Sequence, residues 1–499
     1  MAHHSANVIP SRLLMWQRVR EYAVPLSMIE TATARRAVGD WAGACAAARI
    51  DVDLDLRAVR DRHGTDLVTR LRADLRRLAP DLLRWHMPRI APDGRLRPGL
   101  TISLARYGNS GATPLQLVVR TPPAWADAGQ RMSLALWEES GNGAAGHHPH
   151  PHPDRRFRLD LHRHLWDAGR SGELAGRCGA AGTARSMAPP DRQVLRDLPA
   201  VRDDSWATAR WAAEADLLLR AEGRARGAFT VRLGARSRAV LELVAPDDSH
   251  APTFRPLREA LPPQEVAALA VLPEAAARVL PDLELLRAGL VAADRLHPLV
   301  AAALAAYGSC PAYGSAPAYG STSAYAPEPG DPHRVECRGE VHRIALRDGV
   351  LTAVDHDPAQ LRREELLVAL GGPPLPCLRA IDAVHRNPEA LPAVRERLGH
   401  GDVTGALAVV EGLLGPGAVL REGPLREELE SAAARRVDHG LFRSGLVAVH
   451  PGARAAGGEN ASGAGHADAG HRPRLDRRTP LAMRHKLMSR ARPRTGLTS

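Results

Sequence analysis

Lysine and aromatic residues are scarce in this chain of 499 residues. Lys486 is the only lysine, so arginine carries almost all of the basic charge, as GC-rich coding produces together with abundant alanine and glycine. Aromatic residues make up 4% of the chain and hydrophobic residues 44%. Aliphatic side chains and alanine must therefore do most of the core packing. All eight tryptophans, Trp16 to Trp211, lie in the N-terminal half, which predicts the best-anchored core there.

Cysteine is also rare, and no two cysteines form a CxxC pair. The five are Cys45, Cys178, Cys310, Cys337 and Cys377. This scatter suits a reducing compartment, and it speaks against a disulfide framework and against a cysteine-rich zinc site. The chain has no apolar run of about 20 residues, and its N-terminus has no signal-peptide pattern. We therefore expect a cytoplasmic protein with no membrane segment.

The common catalytic signatures are missing as well. The sequence has no GxxxxGK[ST], no GxGxxG after a strand, no HExxH and no GxSxG. Nucleotide, dinucleotide, zincin and α/β-hydrolase chemistry are therefore unsupported.

The positive charge is concentrated at the C-terminus. Residues 451–499 hold ten basic and three acidic residues, which is +7 of the formal net charge of +11. No aromatic residue lies in that segment, so bases could not stack on it. One hypothesis is therefore non-specific, salt-sensitive association of this tail with nucleic acid.

A six-residue repeat divides the chain. Residues 306–329 read AYGSCP, AYGSAP, AYGSTS and AYAPEP, a composition with too little apolar surface to offset its ordering entropy. We interpret it as a flexible linker between folded parts. The predicted organisation is a helical and antiparallel-sheet region (10–305), the linker (306–332), a hairpin-plus-helices domain (333–448) and a disordered basic tail (449–499).

The N-terminal region predicts helices followed by strands. Leucines at helical spacing predict an amphipathic helix over residues 66–83. From Leu100 the apolar period changes to two, which predicts an antiparallel meander with one buried and one solvated face. Its four runs are 100–104, 115–119, 132–136 and 157–161, and a hairpin follows over 229–243.

Past the linker, the sequence predicts one hairpin and four helices. Asp348-Gly349 is a preferred two-residue turn, and the register that it sets places His342 opposite Asp355. Proline and glycine then mark four helices between Asp357 and Gly440. The fold class expected for the whole chain is α+β.

One stretch carries a resemblance. SRLLMWQRVREYAVPLSMIETATARRAVGDWAGACAAARIDVDLDLRAVRDRHG resembles a group of uncharacterised hypothetical proteins of GC-rich actinobacteria. The resemblance extends, with gaps, through DPAQLRREELLVAL and GALAVVEGLLGPGAVL. It implies an origin and a repeated architecture, and it implies no activity.

A repeated GDxxGA pattern supports a binding role. It occurs at residues 39–44 and 401–406, each time between two amphipathic helical stretches. The second copy resembles half of a tetratricopeptide-type helical hairpin, and such hairpins commonly form partner-binding surfaces. The alternative is an ordinary helical turn in a core. We take a non-catalytic protein that binds or regulates an unidentified protein partner as the first hypothesis.

The second hypothesis is a metal-dependent enzyme. In RRFRLDLHRHLW, strand parity predicts that Asp160, His162 and His164 share one face and could bind a divalent metal such as zinc. This DxHxH pattern resembles the metal-binding strand of amidohydrolases, although the chain has no lysine available as their bridging ligand. The alternative is the solvated face of a sheet. Four histidines between His147 and His152 could add weak, adventitious metal binding.

Overall fold

The computed structural model describes residues 9–108, 115–138, 152–178, 205–235, 237–244, 251–306, 334–347, 350–386, 391–415, 417 and 419–444. These residues form two compact units. The first contains the described residues up to 124 and from 131 to 306, and the second contains 125–130 and the described residues from 334 onward. Apart from Ala306, the predicted linker lies outside the described residues, and so does the basic tail.

Short helices make up much of the first unit. The leucines predicted to form one stripe are buried, but the predicted helix over 66–83 is broken, because Pro80 cannot continue a helix and begins a new one. The helices are α1 Ser11–Arg18, α2 Leu26–Ala37, α3 Trp41–Ala47, α4 Leu56–His63, α5 Thr65–Arg77, α6 Pro80–Trp85, α7 Leu174–Arg177, α8 Trp211–Ala221, α9 Pro263–Ala268, α10 Glu274–Ala277, α11 Pro281–Arg287 and α12 Pro298–Ala306.

The predicted meander is present, with three strands in place of four. The first sheet has the order β1-β6-β5-β4, and its last three strands pair antiparallel in sequence order. β1 was not predicted and runs parallel to β6. Most residues of β4 and β5 are buried on both faces, so the expected solvated face is wrong for these strands. The strands are β1 Ile50–Asp53, β2 Arg89–Ile90, β3 Arg95–Leu96, β4 Thr101–Tyr107, β5 Leu115–Arg120 and β6 Met132–Trp137, of which β2 and β3 form a separate pair.

The fourth predicted run is not a strand. Residues 152–167 form turns and a single 3-10 turn, Arg163–Leu165, although Phe157 and Leu159 are buried in the core. The predicted hairpin over 229–243 is confirmed as two antiparallel strands. It belongs to a second sheet of order β10-β7-β8-β9, with β7 Gly227–Arg232, β8 Arg238–Val244, β9 Thr253–Pro256 and β10 Ala270–Val271.

The second unit is a three-stranded antiparallel sheet with helices. The strand register predicted from the turn is confirmed, because Arg347 pairs with Val350 and Ile344 pairs with Ala353. The turn residues themselves lie outside the described part of the chain. The structure describes five helices here, one more than predicted. The elements are β11 Arg334–Cys337, β12 Glu340–Arg347, β13 Val350–Ala353, α13 Pro358–Ala369, α14 Pro376–Arg386, α15 Leu391–Gly399, α16 Val403–Leu414 and α17 Pro424–Arg443.

Both GDxxGA copies build the same helical turn. Gly39 and Gly401 have φ values of 78° and 79°, a left-handed conformation that glycine adopts without strain. The aspartate that follows accepts a hydrogen bond from the backbone N–H three residues on, which caps α3 and α16 respectively. The α+β class is confirmed for the described chain. None of its helices is long and apolar enough to cross a membrane.

Candidate metal centre

Cys337 is the last residue of β11 and lies at a tight hairpin. Arg338 and Gly339 have φ values of 59° and 85°, so the chain reverses within two residues and Cys337 pairs with Glu340. The Cys337 side chain is fully buried on the face of the sheet that carries Ile344.

His356 follows β13 by three residues. Asp355 anchors this segment, because its carboxylate accepts hydrogen bonds from the backbone N–H and the guanidinium of Arg343. The His356 N–H donates to the carbonyl of Ala353 at 3.3 Å. His356 is buried.

Cys377 is the second residue of α14, directly after Pro376, which begins the helix. The first turn of a helix carries partial positive charge, and a thiolate at this position is stabilised by it. The thiol is fully buried in an apolar cluster that contains Leu361, Leu375 and Leu378.

These three side chains meet although two of them are 40 residues apart in sequence. The sulfur atoms of Cys337 and Cys377 and one ring nitrogen of His356 all lie within 4.8 Å of one another. Zinc binds cysteine sulfur at about 2.3 Å and histidine nitrogen at about 2.0 Å, so a tetrahedral ion needs ligand atoms somewhat under 4 Å apart. Within the ranges that the structure describes, no other set of three such side chains is this close.

The protonation states also suit a metal. Burial, followed by the hydrogen bond with Cys337, raises the pKa of Cys377 to about 11, so the Cys377 thiol holds its proton when no metal is bound. Burial and the neighbouring His342 lower the pKa of His356, so its ring is neutral, which is the form that binds metals. A bound zinc ion would replace the thiol protons and offset the desolvation of both thiolates.

The predicted ligands His162 and His164 lie elsewhere, in the first unit. They are 1% and 2% exposed, so the expectation that they line a solvated strand face is wrong. His162 Nδ1 lies 3.0 Å from the carbonyl oxygen of Arg158, and its Nε2 lies 3.2 Å from Glu214 Oε2. Burial and then His162 lower the pKa of His164 well below its usual value. The two rings are 5.8 Å apart.

Asp160, the third predicted ligand, is engaged by arginines. Arg158 binds both carboxylate oxygens at 2.8 Å, and Arg106 lies 3.2 Å away. Asp160, His162 and His164 therefore do not form a group with metal-ligand spacing in this structure. That they bind metal stays an untested prediction. Of the histidine-rich loop, only His152 is described, and its ring lies 5.1 Å from that of Trp137.

The predicted His342–Asp355 pair is not formed, because Asp355 binds Arg343. His342 stacks instead on His356, with ring centroids 4.1 Å apart and planes inclined by 15°. The sequence held one usable signal for the centre: Arg338-Gly339 is a second two-residue turn, and the register that it sets puts Cys337 and His342 on one face of β11 and β12. Cys377 gave no comparable signal, because its helix was not predicted.

Comparison of the chain with protein-family models, with curated proteins and with solved structures finds no match.

Proposed function

We propose that the second unit is a zinc-binding domain and that the ion has a structural role. The observation that supports this is the convergence of Cys337, His356 and Cys377 in one buried cluster. Two thiolates and an imidazole are a soft ligand set, which zinc prefers and which calcium and magnesium avoid.

The surroundings favour a structural ion over a catalytic one. Catalytic zinc needs a position that substrate and water can reach. Cys337 and Cys377 are fully buried, and Leu375 and Leu378 pack beside them. An ion here would link the end of β11, the segment after β13 and the start of α14. One ion would thus cross-link three segments of the domain and stabilise its tertiary structure.

The test is metal analysis of the untagged full-length protein, purified under reducing conditions. We expect about one zinc ion per chain, and loss of that ion in Cys337→Ser and Cys377→Ser. Cys45→Ser is the matched control, because Cys45 is equally buried but lies in the first unit. Wild-type protein that stays metal-free after incubation with zinc would refute the proposal, as would stoichiometric zinc in both cysteine variants.

The predicted protein-binding role is a second candidate, and α13 supports it. Leu366 and Leu367 on this helix and Leu370 directly after it are 64%, 49% and 87% exposed. Exposed aliphatic side chains in such a group commonly mark a protein-binding surface. A second copy of the chain is the partner that we name, because an apolar patch is complementary to itself across a two-fold axis.

Sedimentation equilibrium tests this candidate. We expect wild-type protein to self-associate and Leu366→Glu/Leu370→Glu to remain monomeric with its zinc content unchanged. Wild-type protein that is still monomeric at about 100 μM would refute self-association, because any dimer would then have a dissociation constant well above this concentration.

A further inference from the structure

We propose that His342 is the fourth ligand of the zinc ion, so that the centre is of the Cys2His2 type. This rests on the proposed zinc-binding function and extends it to a residue outside the group of three. Structural zinc sites are almost always four-coordinate and tetrahedral, so a site with three protein ligands lacks one.

The register of the hairpin brings His342 to the centre. Cys337 pairs with Glu340, and His342 pairs with Val335, two residues further along. Directly paired residues of antiparallel strands share a face, so Cys337 and His342 are diagonal neighbours on one face. Such neighbours have Cβ atoms somewhat under 7–8 Å apart, which suits two ligands of one ion.

Two buried nitrogens at this point have no hydrogen-bond partner. They are Nδ1 of His342 and Nε2 of His356. A buried polar atom without a partner is destabilising, and a ligand shared by the two nitrogens would remove both penalties. The remaining nitrogen of His342, Nε2, lies 3.9 Å from the carboxylate of Glu340. A metal on Nδ1 would leave Nε2 directed towards this exposed carboxylate, and zinc-bound histidines commonly donate their second ring N–H to a carboxylate.

Ion binding requires one local change. Two imidazoles that direct nitrogens at one tetrahedral ion cannot keep their rings nearly parallel at 4.1 Å. The His342 ring must therefore turn out of the stack. Its partly exposed position on β12 leaves room for this movement, whereas His356 is buried.

X-ray absorption at the zinc edge of wild-type protein counts the ligands without any substitution. We expect two sulfur and two nitrogen neighbours, with the outer-shell scattering of two imidazoles. Two sulfurs, one imidazole and one water-like oxygen would overturn the assignment of His342 and leave the zinc-binding proposal intact. A wild-type chain that takes up no zinc would overturn both.

His342→Ala supplies the second measurement, with cobalt(II) as a coloured substitute for zinc. We expect the thiolate charge-transfer band to be kept, the visible bands to weaken as water raises the coordination number, and zinc affinity to fall at least about tenfold. Added imidazole should restore the wild-type spectrum. Val341→Ala is the matched control, since its side chain is on the opposite face of β12 and 65% exposed. An unchanged spectrum with affinity within about twofold of wild type in His342→Ala would refute the proposal.

Discussion

Glu214 is the residue whose removal should destabilise the first unit most clearly. It lies on α8 with a side chain that is 5% exposed. Arg177 donates to both of its carboxylate oxygens, at 3.1 and 2.5 Å, and Arg210 donates to one at 2.5 Å. His162 is the third group against this carboxylate.

Glu214→Ala would leave two arginines without their anion. Removing one partner of a buried ion pair costs about 3–5 kcal/mol. Arg177 keeps its hydrogen bond to the carbonyl of Leu161 at 2.6 Å and is partly solvated, so we expect the lower end, about 3 kcal/mol. Glu214→Gln keeps the shape and one acceptor and should cost about 2 kcal/mol.

Urea unfolding followed by tryptophan fluorescence measures this loss. Seven of the eight tryptophans, all except Trp125, lie in the first unit, so the signal reports mainly on that unit. With a slope of about 3 kcal/mol/M, a loss of 3 kcal/mol lowers the midpoint by about 1 M. Glu173→Ala is the control: the Glu173–Arg170 pair is exposed and should contribute less than about 1 kcal/mol. A Glu214→Ala midpoint equal to that of the control would refute this account.

The same carboxylate predicts a pH dependence. Burial alone would raise the pKa of Glu214, but His162 and Arg177 lower it far below its ordinary value of 4.5. A depressed carboxyl pKa contributes stability above the unfolded-state value, and this stability is lost as pH falls below 4.5. Wild-type stability should therefore fall more steeply than that of Glu214→Gln below this pH. Parallel slopes for the two proteins would show that Glu214 is not the group responsible.

Three further predictions concern other parts of the chain. Asp402→Ala removes the cap on α16 and the ion pair with Arg397 at 2.8 Å, and it should cost the second unit about 1 kcal/mol in thermal unfolding; no loss would show that solvent replaces the cap. Brief chymotrypsin digestion should cut at the linker tyrosines and leave two stable fragments, whereas a chain that resists cutting there would contradict the predicted linker. Deleting residues 451–499 should abolish salt-sensitive nucleic-acid binding, and salt-resistant binding by the truncated chain would place the site in the folded part.

Local signals in the sequence predicted local structure well. The turn at residues 348–349 set the register of β12 and β13, and the two-residue apolar period located β4, β5 and β6. In each case the information lies within about ten neighbouring residues. These elements also suffice for the α+β class.

The segment from Phe157 to His164 shows where periodicity fails. A two-residue apolar period is typical of a strand with one buried face, but a strand also needs a neighbouring strand to pair with. Here Arg158 binds Asp160 and His162 Nδ1 lies beside the Arg158 carbonyl, so side chains hold a compact turn in place of a ladder. The burial of His162 and His164 could not be predicted from their neighbours in sequence. The charged cluster beside them contains Arg177, Arg210 and Glu214, which lie up to about 50 residues further along the chain.

The candidate metal centre was missed for a related reason. Its residues lie on separate elements, and their spacing in sequence matches no familiar zinc motif. Only the strand register and the position of α14 bring them together, and α14 was not predicted. The scatter of the cysteines in sequence therefore argued against a zinc site, although the fold brings two of them together with His356.

The two GDxxGA turns share the same local interactions. In both, an arginine five residues before the aspartate pairs with its carboxylate, Arg35 with Asp40 and Arg397 with Asp402. A Cβ on either following glycine, Gly43 or Gly405, would lie 2.1 Å from that carboxylate, so a larger residue there would force the aspartate side chain to move. One copy lies in the first unit and the other in the second. Helix capping accounts for the glycine and aspartate at the start of the pattern, and the shared alanine, Ala44 or Ala406, is fully buried. Local structure and packing therefore explain the repeat, and it is not evidence of a binding surface. The exposed leucines of α13 and the metal centre are therefore the features on which a functional assignment should be tested.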